Sequence, residues 1–227
     1  DLVRSRGLGD VSKRQVNKRG KTRYYRANKG VVVAAGGFAA NPVIRALHDP
    51  RLFDLPTTNH KGATGDLLAP TQDVGANVVG MDYIQLLPGA ASSGRFIGTV
   101  SPVENVIFVN KNGNRFVAED QRRDVVADAI LSSPNKIVFG IMDVNGYNGM
   151  KTGARKAFDG AFQSGDAVMA PTLDELAVKL LIPAENLKRA VDDYNKAVET
   201  KKDPLGRNPQ VLVNKIEKAP FYCGRLT

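Results

Sequence analysis

The stretch that most constrains this chain runs from residue 105 to 131, NVIFVNKNGNRFVAEDQRRDVVADAIL. Val106 to Asn110 has the composition of a strand, and Asn112-Gly113 lies between two apolar runs. A tight hairpin turn needs positive φ, which Asn and Gly tolerate, so the spacing predicts a turn at 111–113 and a short return strand. After Phe116 the apolar period changes: Val125, Val126, Ala129 and Ile130 recur at helical spacing, which predicts a helix starting between Glu119 and Asp124. Acidic residues there suit the positive end of a helix dipole, whereas Arg122 and Arg123 oppose it. Two cations placed against the backbone field point to a further requirement at this corner. The plainer alternative is a pair of solvated surface arginines.

The rest of the chain sets bounds around that corner. At 227 residues it can bury a substantial core in one large domain or two small ones. Its one cysteine, Cys223, excludes an intramolecular disulfide framework. No apolar run approaches the ~20 residues of a membrane span. The first residue is Asp1, with no signal-peptide pattern, and the compartment stays open between periplasm or cell surface and cytoplasm. Nearly all of the net charge of +9 falls in residues 1–30, where ten Lys/Arg face only Asp1 and Asp10. A basic arm with Tyr24 and Tyr25 interleaved is one form of nucleic-acid binder. A β-meander with a basic outer face, TRYYRA being one strand, is preferred because no DNA or RNA motif accompanies the charge.

KGVVVAAGGFAANP follows. Val31 to Ala35 has the pattern of a buried strand, and Gly36-Gly37 would let its end approach a nucleotide or ring closely. Asn41 and Pro42 predict a capped helix through Leu47. Thr64-Gly65-Asp66 predicts a loop entering a helix, with Asp66 either a ligand acceptor or an ordinary cap, and Val78 to Leu87 predicts a strand. The two histidines, His48 and His60, lack companions at metal-ligand spacing, so no metal site is expected. Further on, Lys136 to Asp143 predicts a strand and the following Gly/Asn-rich run through Gly153 a loop. Thr172 to Glu175 is a capping box, and Pro183 opens a helix whose apolar face is Leu187, Ala190, Val191, Tyr194 and Val198. Asp203 to Gly206 breaks that helix, and residues 210–227 predict an extended run.

Four blocks in order, KGVVVAAGGFAANP, TNHKGATGD, MDYIQLLP and IFVNKNGNRFVAEDQRRD, resemble the fumarate reductase-like FAD-dependent flavoproteins, which include flavocytochrome c fumarate reductases and urocanate reductases. The resemblance implies an α+β fold: a β-rich remnant of an FAD-binding domain at residues 1–82 and a capping (clamp) domain at 83–227. It implies reduction of an activated C=C bond, hydride arriving from flavin N5 and a proton from an arginine. By this resemblance Ala35, Gly36, Gly37, Thr64, Gly65 and Asp66 lie beside FAD and Arg123 is the proton donor. A cation at that point also stabilises the carbanion character that hydride addition leaves on the neighbouring carbon. A haem- or FMN-bearing domain or protein is the implied electron donor, and a small unsaturated molecule the implied substrate.

The departures are specific. Gln85-Leu86-Leu87-Pro88 places Leu87 where fumarate reductases carry a histidine that grips a substrate carboxylate. Losing such a charged hydrogen bond is worth about 1.5–3 kcal/mol, so an enoate or enone larger or less acidic than fumarate is expected. Thr99 and Glu104 are the available substitutes for the missing carboxylate-binding threonine and proton-relay carboxylate. G-x-G-x-x-G is absent, so this stretch taken alone is expected to be inactive and to bind FAD weakly or not at all. The competing reading is a non-catalytic binding module whose basic arm meets nucleic acid or a protein.

Overall fold

The structure is a computed structural model that describes residues 4–5, 11–16, 22–91, 93–98 and 102–227. Its chain contacts separate into two units, residues 1–54 with 59–84 and residues 55–58 with 85–227.

The first unit opens with an antiparallel meander of β1 (Arg4–Ser5), β2 (Val11–Val16) and β3 (Thr22–Ala27), in which Val11 faces Ala27 and Val16 faces Thr22. Two short helices follow, α1 (Pro42–His48) and α2 (Leu68–Asp73). The Asn41 side chain accepts from the backbone N–H of Val43 and Ile44 at 3.1 Å each, so α1 starts at the expected cap. Two expected strands do not form. Val31 to Ala35 is unpaired, with Val32 90% exposed, and residues 78–87 form no strand, turning at Gly80–Tyr83. An apolar run becomes a strand only where a neighbouring strand takes up its backbone groups, and none in this unit does so. Asp66 does not cap α2: the residue before that helix is Leu67, and Asp66 instead accepts from Thr64 Oγ1 at 2.7 Å.

The second unit is a four-stranded antiparallel sheet covered on both faces. Its strands are β4 (Ile107–Asn110), β5 (Val138–Met142), β6 (Ala167–Ala170) and β7 (Phe221–Leu226), in the order β4-β5-β7-β6. Side chains alternate between faces along a strand. Ile107 and Val109 accordingly join a core with Leu176, Leu187, Tyr194 and Val198, supplied by α6 (Leu173–Leu180) and α7 (Ala184–Thr200). Val106 and Phe108 join the opposite core with Val126, Ile130 and Phe158, supplied by α3 (Arg123–Leu131) and α5 (Thr152–Ser164). The expected loop through Gly153 contains α4 (Val144–Asn148) and the start of α5. Asp143 caps α4 by accepting from Gly146 N at 2.9 Å, a signal outweighed in the sequence by the surrounding glycines and asparagines.

Candidate active site

The hairpin that leads into the site is shorter than its sequence predicts. Gly113, at φ +76°, closes the turn by donating to the Asn110 carbonyl at 2.9 Å, but the return strand reduces to one bridge between Val109 and Arg115. Past that bridge the chain is diverted by charge. Arg115 donates through Nε and Nη2 to Glu119 (3.0 and 2.8 Å) and through Nη1 and Nη2 to Asp203 (3.1 and 2.7 Å). Arg207 donates through Nη1 to Glu119 at 3.0 Å, and the side chains of Glu119, Asp203 and Arg207 are 0% exposed. The Tyr194 ring packs against both guanidinium groups, 5.3 Å from Arg115 and 5.0 Å from Arg207. Glu119 is therefore not at the head of α3 as its sequence position suggests. The helix begins at Arg123, and Asp124 is the acid in its first turn.

At Arg115 and Asp203 burial works against the charge, and pairing outweighs it. The two carboxylates hold the Arg115 guanidinium above its ordinary value despite desolvation, and Arg115 holds the Asp203 carboxyl below the usual carboxylate range against the same opposing effect.

At the head of α3 the two arginines part ways. Arg122 forms a bidentate pair with Asp124, at 3.1 and 2.6 Å, in the solvent. Arg123 is exposed and makes no hydrogen bond or ion pair among the described residues. It lines a cavity of about 160 Å³ with Leu87, Pro88, Phe108, Glu119, Gln121 and Val126. Two residues singled out from sequence, Arg123 and Leu87, are thus brought together. Glu104 sits half-buried in a 3-10 turn at Val103–Asn105 and does not line this cavity. Thr99 lies outside the described residues.

The expected cofactor residues meet in the first unit. Gly65 N donates to the Gly37 carbonyl at 3.1 Å, and Asn41 Nδ2 donates to the Thr64 carbonyl at 3.0 Å, drawing the two loops side by side. Gly65 has φ +73°, and a Cβ there would lie 2.8 Å from the Phe38 Cβ, so the approach requires glycine. On the outer side, a Cβ on Gly36 or Gly37 would meet nothing within 4 Å, and Ala35 is exposed. The loop edge at Gly36 and Gly37 is therefore open, with the exposed carboxylate of Asp66 on the neighbouring loop, and leaves room for a planar group such as a flavin ring. Among the described residues no group of three or more His, Cys, Asp or Glu is placed to hold a metal ion, and no helix is long and apolar enough to cross a membrane.

Comparison with known proteins identifies the family. The family model described as FAD binding domain matches residues 1–227, and the chain belongs to that family. It is 34% identical over 202 residues to the NADH:acrylate oxidoreductase of Vibrio harveyi, covering 86% of this chain and 20% of that protein. It is 32% identical over 209 residues to the urocanate reductase of Eggerthella lenta, covering 89% of this chain and 34% of that protein. The fold is similar to the open conformation of a flavocytochrome c3 fumarate reductase, with TM-score 0.74 and 28% identity over 90% of this chain and 36% of that one. The chain thus spans a fifth to about a third of the length of these relatives. The α+β architecture and the flavoprotein resemblance are both upheld.

What the sequence did not disclose is the Arg115–Glu119–Arg207–Asp203 quartet. Arg115 and Asp203 are 88 positions apart, as are Glu119 and Arg207. A faint signal exists: an Arg and a Glu four apart in one segment, an Asp and an Arg four apart in the other, with signs reversed.

Proposed function

We propose that this chain provides the lid, residues 83–227, and part of the FAD-binding domain, residues 1–82, of an FAD-dependent reductase of activated C=C bonds, with Arg123 as the proton donor. The observation that carries the reading is the contrast between neighbours. Asp124 occupies Arg122, while Arg123 keeps its guanidinium free at the rim of a cavity.

FAD, held on its near side by Ala35, Gly36, Gly37, Thr64, Gly65 and Asp66, would supply the hydride. Addition of that hydride to one alkene carbon would break the π bond and leave negative charge on the other carbon. Arg123, exposed at the rim of its cavity, would stabilise that charge, transfer a proton to the carbon and regain one from solvent. Leu87, Pro88, Phe108 and Val126 form the apolar part of the cavity lining. With Leu87 in the lining there is no imidazole to grip a carboxylate, which favours an enoate or enone over a dicarboxylate. A cavity of about 160 Å³ has the volume of roughly five water molecules, which suits a small polar head group.

In the flavin-loaded protein, Arg123→Ala should lower turnover by about 10²–10⁴-fold while flavin absorbance per protein is unchanged. Parallel loss of flavin and turnover would make the arginine structural and overturn the assignment.

A further inference from the structure

Glu119 lines the same cavity as Arg123, but its carboxylate is fully engaged. It accepts from the backbone N–H of Phe108 at 2.9 Å, from Arg115 Nε and Nη2, and from Arg207 Nη1. A carboxylate with four donors has no lone pair to spare for a substrate. Arg207 ties it further to the backbone, donating to the carbonyls of Val106 and Val103. One residue on, Asp120 Oδ2 accepts from Asn208 N at 2.9 Å. The segment 203–208 therefore grips residues 115, 119 and 120, with only Gln121 and Arg122 between the last of these and Arg123.

Buried ion pairs are weak evidence for stability, because desolvation cancels much of the attraction, and apolar replacements of similar volume are often as stable. What four fixed charges do supply is geometry: forked guanidinium–carboxylate bonds tolerate little rotation. We propose that the segment 203–208 is a positioning device for Arg123, with Asp203, Arg207 and the Asn208 backbone fixing residues 115–120 so that α3 starts at one place and one angle. This rests on the reading of Arg123 as proton donor. Placement matters there because a misplacement of about 1 Å at a reacting group costs on the order of 10²-fold in rate.

The test uses the flavin-loaded natural protein and the variants Asp120→Ala and Arg207→Lys, each alone and combined with Arg123→Ala. Asp120→Ala removes the tie to Asn208 without touching the quartet; Arg207→Lys keeps the charge and loses the fork. Each should lower kcat by about tenfold with KM within about twofold. The solvent deuterium isotope effect on kcat should rise as proton transfer becomes slower, and amide exchange at residues 121–126 should quicken. In the Arg123→Ala background neither change should lower the residual rate further, because a positioning residue has nothing left to position. Losses that remain multiplicative in that background, or an unchanged isotope effect, would overturn the proposal. Full turnover by Arg123→Ala alone would instead remove the reading beneath it, and the two failures are distinct.

Discussion

The two units differ in what they bury. Residues 85–227 place apolar layers on both faces of one sheet, and the interior also holds a neutral set of two arginines and two carboxylates. Among the described residues of the first unit, Leu52 is the one buried hydrophobic side chain, while Val31, Val32 and Val33 are 42%, 90% and 52% exposed. Fully burying a valine is worth about 1.5–3 kcal/mol, so the first unit leaves unrealised what the second has already taken. The lesson concerns sensitivity: substitutions in the second unit should act on global unfolding, and those in the first on local order.

The sharpest way to break that contrast is Glu119→Ala. It leaves Arg115 and Arg207 buried beside Tyr194 with one carboxylate between them, and breaking a buried pair costs about 3–5 kcal/mol. A denaturant titration followed by near-ultraviolet circular dichroism should show the midpoint falling accordingly. A shift under about 1 kcal/mol would mean that the quartet relaxes into solvent, and the second unit would be less rigid than its burial implies.

How much of this was legible follows from what is local. Asn41 before Pro42, Thr172 before Glu175, and the apolar stripe of α7 each encode an element within a few residues, and each formed as expected. Val31 to Ala35 was misread because an apolar run states only that it prefers burial; its strand state depends on neighbours that the local text does not name. Glu119 was misread for the opposite reason. An acid just before a helical pattern looks like a partner for the helix dipole, and its actual partner is an arginine 88 residues away. Arg123 and Leu87 stand in short motifs and line one cavity, whereas the quartet was illegible because its partners lie 88 positions apart.

Acid should separate the units next. Arg115 keeps the Asp203 carboxyl below its ordinary value, so this group's contribution to folding is complete above the unfolded carboxylate value of about 3.9 and is lost as pH falls through the lower folded value. Stability measured from pH 7 downward should therefore hold to about pH 4 and then fall, and Asp203→Asn should flatten that fall. An unaltered acid limb in Asp203→Asn would assign the acid sensitivity to other carboxylates.

Gly65→Ala probes the first unit at its tightest point. The new methyl would sit 2.8 Å from the Phe38 Cβ at a φ of +73°, and a left-handed non-glycine residue costs roughly 1–2 kcal/mol before any clash. The expected result is faster amide exchange at Gly65 and Ala40, whose N–H groups bond to Gly37 and Ala63, with no change in the melt of the second unit. A fall in the global midpoint would show that the two units unfold together.

The smallest effect is the most informative about the exposed run. Val32→Ser replaces a side chain that is 90% exposed, so its cost to this chain should lie within about ±0.5 kcal/mol, the ordinary range for surface positions. In a longer protein where Val31 to Val33 is covered, the same substitution gives up apolar burial and should cost about 1.5–3 kcal/mol. The difference between the two measurements is the free energy that the covering contributes at this residue, independent of any contact within the first unit. If both measurements give the surface value, the run is solvent-facing in either setting, and its resemblance to a flavin-side strand carries no packing role.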